Sequence, residues 1–227
     1  AFYTNRYLEL AEIVTSSFQT LLFCGMPRGV TNTVIGTTAL VEFLNRILPI
    51  DDNEKAIVEE LFVPRRIKRR QFIHHEGDIC KHANFVVQGC LKMYMVDENA
   101  KEHNLQFAIE NNWIGDLGSF HSGEPSKLYV EAIESSVILQ VTKEDLYRLY
   151  EEYPKFNKIF RIMKENQIVE YQKRILQNIS STGEERYLDF LNQYPDLFNR
   201  ISNVQIASYL GVTPVFLSMI RKKIAES

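Results

Sequence analysis

The chain has 227 residues, with 26 Lys and Arg against 29 Asp and Glu for a formal charge of −3, and 45% apolar side chains beside 24% charged ones. That length makes one large domain or two modest ones, and the average mix excludes a disordered polymer and a uniformly basic nucleic-acid coat. Any nucleic-acid contact must therefore be local.

Residues 1–37 give little to work with: Tyr7 to Phe23 has weak helical character, Gly25 to Gly29 breaks it, and no function is assigned. Glu9 and Glu12 stand where a signal peptide would be cleanly apolar, and Pro27, Arg28, Gly29 and Glu42 interrupt the one stretch, Thr20 to Leu44, that comes near a membrane span. A cytoplasmic location and no membrane partner are expected. From Ala39 to Leu48 the apolar positions Leu40, Val41, Leu44, Ile47 and Leu48 recur at helical spacing, and Pro49 with Asp51 and Asp52 opens a second helix through Leu61.

Between Phe62 and Val141 the texture changes to short β-branched and aromatic runs separated by turn residues. The runs are Arg66–Ile73, Phe85–Val87, Gly89–Val96, His103–Ala108, Tyr129–Ile133 and Ser136–Val141. Regular short strands of this kind predict an antiparallel barrel or roll, with turns at Gly77, Gly89 and Asp97-Glu98-Asn99. Thr142 with Asp145 three residues on predicts a helix start, and after Pro154 helix character runs from Lys155 to Ile179. There Ile162, Val169 and Leu176 repeat every seven residues beside Ile168 and Ile175, a seam for a second helix or for the chain's own β-domain. Ser180 to Gly183 ends the helix and suggests a hinge.

The stretch Ser202 to Ile224 reads as a helix-turn-helix. Ile206 and Leu210 share a face, Ala207 allows close helix crossing, and Gly211 marks the turn. Thr213 can cap the second helix with Pro214 in its first position, while Leu217, Ile220 and Ile224 point inward. In a DNA complex the second helix would place Thr213, Pro214, Val215, Phe216, Ser218 and Met219 at base edges, with Arg221, Lys222 and Lys223 on phosphates. Double-stranded DNA is the partner this predicts.

A β-roll, a long helix and a terminal helix-turn-helix, in that order, resemble the Crp/Fnr (catabolite activator) family of bacterial transcription regulators. Gly77, Gly89, Trp113-Ile114-Gly115-Asp116-Leu117-Gly118, Gly123 and Ile206 to Pro214 carry the likeness over residues 39–227. The form Tyr187-Leu188 followed by Ala207-Ser208-Tyr209-Leu210-Gly211 and Ile220 to Lys223 looks most like the branch common in Bacteroidetes-type bacteria. The resemblance implies an α+β fold: a cyclic-nucleotide-binding-type sensor roll over 38–152, a dimerisation helix over 153–181 and a DNA-binding domain over 182–227. It also implies a homodimer on a two-fold symmetric operator, with RNA polymerase and a small-molecule effector as further partners.

The departures are specific. Cyclic-AMP-binding members carry Phe-Gly-Glu and, about ten residues on, Arg-Ser or Arg-Ala; here those places read Gly115-Asp116 and Ser126-Lys127. Asp116 is a methylene short, Ser126 offers the phosphate no charge, and strand alternation turns Lys127 to the other face. The ligand pocket is therefore assigned to Gly115, Asp116, Leu117, Ser126 and Lys127, with cyclic AMP not expected as its usual ligand and the effector left unnamed. Cys24 alone cannot hold the iron–sulfur cluster of redox-sensing relatives, and the five histidines, read as surface residues, suggest neither haem nor metal.

Relatives that place Glu and Arg on the groove-facing side of the second helix have Val215 and Met219 here, so the operator should differ. A wing after that helix is expected to be absent or to precede Ile201. No Gly-x-Ser-x-Gly, His-Glu-x-x-His or Walker pattern appears, and Asp116 with Glu131 or Glu134 is an ordinary acidic grouping, so no enzyme is predicted. The alternative to a DNA-binding regulator is a small-ligand sensor module whose terminal helices contact a protein.

Overall fold

The computed structural model describes residues 32–226; the expected Tyr7–Phe23 helix and Cys24 lie outside them. Two lead-in helices come first, α1 (Asn32–Ile47) and α2 (Asp52–Leu61). The second is fixed by a capping box: the Asp51 carboxylate accepts from the Glu54 amide while the Glu54 carboxylate accepts from the Asp51 amide. Leu40, Leu44, Val58 and Leu61 bury one face of this pair against the roll. The first helix begins seven residues earlier than its periodicity predicted, through a Thr- and Gly-rich stretch of low helix propensity.

The roll contains β1 (Val63–Ile67), β2 (Phe72–His74), β3 (His82–Gln88), β4 (Leu91–Val96), β5 (Glu102–Ala108) and β6 (Trp113–Ile114). A short helix α3 (Leu117–Ser122) precedes β7 (Tyr129–Ala132) and β8 (Ser136–Thr142). All ladders are antiparallel, in two four-stranded sheets ordered β1-β8-β3-β6 and β2-β7-β4-β5. Ile67, Val86, Leu91, Met93, Val130, Ala132 and Ile138 fill the space between them. The run Arg66–Ile73, expected as one strand, is split: Ile67 belongs to the first sheet and Phe72 to the second, with Arg70 at φ +63° in the turn between.

Gly89 takes φ +102°, and a Cβ built there would lie 2.2 Å from Ser136 Oγ and 2.7 Å from Ser136 Cα. Backbone strain of about 1–3 kcal/mol would add to a steric cost of similar size. Gly89→Ala is therefore expected to destabilise the roll by on the order of 3 kcal/mol, a fall in Tm of roughly 6–12 °C in a thermal melt.

After the roll come α4 (Lys143–Glu152), capped by Thr142 as predicted, and the 27-residue α5 (Pro154–Ser180). Phe156, Ile159 and Phe160 bury the start of α5. Its later apolar residues are uncovered: Ile168, Val169, Ile175, Leu176 and Ile179 are 47–78% exposed, so the chain's own roll does not take the seam.

A capping box of Thr182 and Glu185 then starts α6 (Gly183–Gln193), followed by a 3-10 turn (Leu197–Asn199), α7 (Asn203–Leu210) and α8 (Pro214–Ala225). Helix α6 was not anticipated, although Thr182-x-x-Glu185 ahead of Tyr187 and Phe190 is a legible start signal. Among the described residues no strand follows Thr142.

Candidate nucleic-acid interface

The terminal pair is built from local chemistry. Ser202 and Gln205 form a capping box that begins α7, and Gly211 ends it at φ +67°, a left-handed conformation that glycine adopts without strain. The Val212 amide donates to the Ala207 carbonyl at 3.0 Å, which closes the turn. Thr213 Oγ1 then accepts from the Phe216 amide at 3.2 Å, and Pro214 occupies the first helical turn. The two helices meet at a bend of 100°. Ile206, Ala207, Leu210, Leu217 and Ile220 are all at most 5% exposed and hold that angle.

The opposite side of α8 is open. Val215 is 72% exposed, Met219 63% and Phe216 44%, with Thr213, Pro214 and Ser218 exposed beside them. The Ser218 hydroxyl donates to the Pro214 carbonyl at 2.9 Å, which leaves its lone pairs outward. The three terminal cations differ in their engagement. Arg221 donates to Asn203 Oδ1, Lys223 pairs with Glu184 at 2.6 Å, and Lys222 extends into solvent with Glu226 3.8 Å away.

The assigned pocket residues separate into an inner and an outer set. Asp116 caps α3: its Oδ1 accepts from the amides of Gly118 (2.8 Å) and Ser119 (3.2 Å), and its Oδ2 accepts from Ser126 Oγ at 2.7 Å. Gly115 adjoins this cluster, with His82 and Asn84 nearest to its α-carbon side. Leu117 is 43% exposed and Lys127 is also exposed; the lysine lies in a bend ahead of β7 rather than on a strand, so it is the bend and not strand alternation that keeps it outside the cluster. The carboxylate thus fills the anion-favouring end of α3, with a neutral hydroxyl as its side-chain partner.

His74 corrects the reading of the histidines as surface residues. It is 8% exposed, its Nε2 lacks a hydrogen-bond partner, and burial lowers its pKa against the opposing pull of Asp78 and Asp116. His82 and His121 are also lowered, chiefly by burial. A folded-state histidine pKa below its unfolded value means the unfolded chain binds more protons as pH falls through about 6.5. Stability should drop from pH 7 toward pH 5, and His74→Asn should flatten that slope in denaturant melts across the range. Among the described residues no group of three or more His, Cys, Asp or Glu is placed to hold a metal ion.

Residues 64–153 match the family model described as Cyclic nucleotide-binding domain. The chain is 24% identical over 185 residues to the "Probable transcriptional regulator flp" of Lacticaseibacillus casei, covering 78% of this chain and 83% of that one. It is also 24% identical over 174 residues to the fumarate and nitrate reduction regulatory protein of Vibrio cholerae, covering 71% and 68% respectively. The chain is thus similar to Crp/Fnr-type transcription regulators, with a cyclic-nucleotide-binding-type domain over residues 64–153.

The architecture of the chain agrees with solved structures. FixK2 from Bradyrhizobium japonicum superposes with a TM-score of 0.65 at 17% identity, over 73% of this chain and 85% of FixK2. CooA from Carboxydothermus hydrogenoformans, a mutant form, gives 0.63 at 15% identity, over 81% and 84%. The β-roll, the long helix after it and the terminal helices therefore share the fold of these structures.

Contacts that sequence reasoning missed tie the terminal helices to the roll. Ser208 Oγ accepts from the Asn104 amide (3.0 Å) and donates to the Glu102 carbonyl (2.7 Å). Arg174 of α5 donates to the carbonyls of Asn104, Leu105 and Tyr209 and lies 3.9 Å over the Tyr209 ring. Arg200 reaches Glu110 (2.9 Å) and Glu134. These partners lie 35–106 residues apart in the chain, beyond any local pattern.

Proposed function

We propose that the chain is a non-enzymatic, homodimeric transcription regulator. It binds a two-fold symmetric operator through α8 and acts in the cytoplasm on transcription by RNA polymerase. The observation that carries this is the capped 100° helix pair with its second helix facing outward from Thr213 to Lys222. Its N-terminal end would meet base edges while Arg221 and Lys222 meet phosphates. Residues 38–152 are the sensor, 153–181 the dimerisation helix and 182–227 the DNA-binding head, with residues 1–37 left unassigned.

Val215, Phe216 and Met219 offer methyl and ring contacts to thymine rather than bidentate hydrogen bonds, so sequence preference comes from Thr213, Ser218, apolar contact and duplex shape. The cassette is a poor fit for a cyclic phosphate: Asp116 already occupies the end of α3, and among the described residues its hydrogen-bond partners are the Gly118 and Ser119 amides and the Ser126 hydroxyl rather than a cation. The effector, where one binds, is a different small molecule.

The apolar outward face of α8 equally favours a second reading, in which that face docks on a protein. Selection of fragments from the source genome by the purified protein, with and without a nucleotide panel, separates the two. The DNA reading predicts retained fragments whose binding weakens steeply with salt; failure to retain any duplex at low ionic strength would favour the protein partner.

A further inference from the structure

The terminal helices are packed on the roll closely enough to bring its β4–β5 hairpin alongside them. Phe190, Leu197, Ile201 and Ile206 share one apolar cluster with Cys90 and Phe107 of the second sheet. Ser208 ties α7 to the Glu102 carbonyl and the Asn104 amide, which lie on either side of His103. The hairpin therefore has a defined place beside the turn between α7 and α8. There Lys101 and His103 face Gly211, Val212, Thr213 and Phe216 across a groove of about 630 Å³.

The charge of this groove follows from which hairpin groups are already engaged. Asp97 Oδ1 accepts from the Asn99 and Lys101 amides at 2.9 and 3.0 Å, and its Oδ2 pairs with His103 Nε2 at 2.7 Å. Glu102 pairs with Lys92 at 2.5 Å. The bond that holds Asp97 also fixes the Lys101 backbone, while among the described residues no carboxylate pairs with the Lys101 ammonium. The groove lining thus has an unpaired cation and no carboxylate, a local field that draws phosphate in a chain that is negative overall.

The helix side of the groove leads straight into the outward face of α8. Thr213 and Phe216 line the groove, and the exposed Val215 and Met219 lie on the same helix beyond it. A helix set in a major groove has a phosphate backbone along each flank, and here the flank at Thr213 and Phe216 is the one where Lys101 stands.

We propose that the β4–β5 hairpin is a second DNA-contacting element: Lys101 takes a backbone phosphate beside each α8, and His103 keeps Asp97 from opposing it. The proposal rests on the DNA reading above and adds to it a contact supplied by the roll itself. That contact sets the position of α8 in its groove and carries no base preference.

In full-length protein on a genomic duplex retained by the wild type, Lys101→Gln removes one phosphate contact per head and two per dimer. The slope of log K against log salt should flatten by about 1.8, and affinity at 0.1 M salt should fall roughly fiftyfold. Lys101→Arg should keep the wild-type slope; loss of slope there too would trace the effect to the fold and overturn the proposal. Ethylation interference should find one phosphate in each half-site whose modification weakens the wild type but not Lys101→Gln. An unchanged slope in Lys101→Gln, or an unchanged set of interfering phosphates, overturns the hairpin contact. If Arg221→Ala with Lys222→Ala flattens the slope on the same duplex and Lys101→Gln does not, the DNA reading stands and the hairpin contact alone falls. If the wild type retains no duplex, both fall. Saturable shifts of the Gly211 and Thr213 amides by adenosine monophosphate, with the Lys101→Gln duplex slope unaltered, overturn the duplex as the phosphate source in favour of a soluble nucleotide.

Discussion

Aspartates in place of Ile175 and Leu176 should leave the protein monomeric. These two side chains are 58% and 64% exposed on α5, within a stripe that also includes Ile168, Val169 and Ile179. Burying each side chain in a symmetric seam stabilises a pair of chains by about 1.5–3 kcal/mol, and each is counted twice in a two-fold dimer. Four carboxylates in the same seam would reverse that gain and add repulsion. We expect the dimer dissociation constant to rise at least about a hundredfold, measured by sedimentation at micromolar protein, with helix content unchanged by circular dichroism. Binding to a two-half-site duplex should fall with it by roughly two to four decades, since the second head loses its tether. A variant that still sediments as a dimer would place the subunit contact elsewhere.

The second large effect concerns Arg221 and Lys222. Replacing both with alanine removes four cations from a dimer, and each phosphate contact contributes a slope of about −0.9 to log K against log salt. The slope should flatten by roughly 3.6, and affinity at 0.1 M salt should drop by on the order of a thousandfold across sequences, with sequence preference retained. Arg221 also donates to Asn203 at the start of α7, so melting of the head should be followed in the same variant. Weakened binding with an unaltered slope would assign these residues to folding rather than to phosphate.

Much of the architecture was legible because local physics set it. The Thr142 cap, the Gly211 turn and the Thr213-Pro214 start each need only neighbouring residues, and each appears in the structure as a hydrogen bond or a positive φ. The strand runs were likewise readable from their β-branched and aromatic residues between turn signals, apart from Arg66–Ile73 and the two-residue β6, which no run covered. In Arg66–Ile73 a cationic turn, Lys68 to Arg70, divides one apparent run between two sheets. Helix α3 escaped notice because six residues carry too little periodicity, although its capping aspartate had already been singled out for other reasons.

The docking of the head was not legible, and no local pattern could have revealed it. Arg174, Arg200 and Ser208 look like ordinary helix polar residues, and Glu110 and Glu134 like ordinary turn acids. Their pairing follows from how two separately formed layers meet. His74 escaped for a similar reason: it is followed by the polar His75 and Glu76, and only the packing of β2 within the roll shows that it is buried.

The apolar seam beneath the terminal helices has a consequence for the roll taken alone. Cys90 and Phe107 are fully covered only because α6, α7 and the 3-10 turn lie on them, with Ile109 and Ile133 at the margin. A piece cut after α5 would bare a sticky, sheet-borne surface to water, a recipe for self-association. The C-terminal helices therefore act as the roll's own solubilising cover, and ligand studies on an isolated roll would report on a molecule with one face stripped.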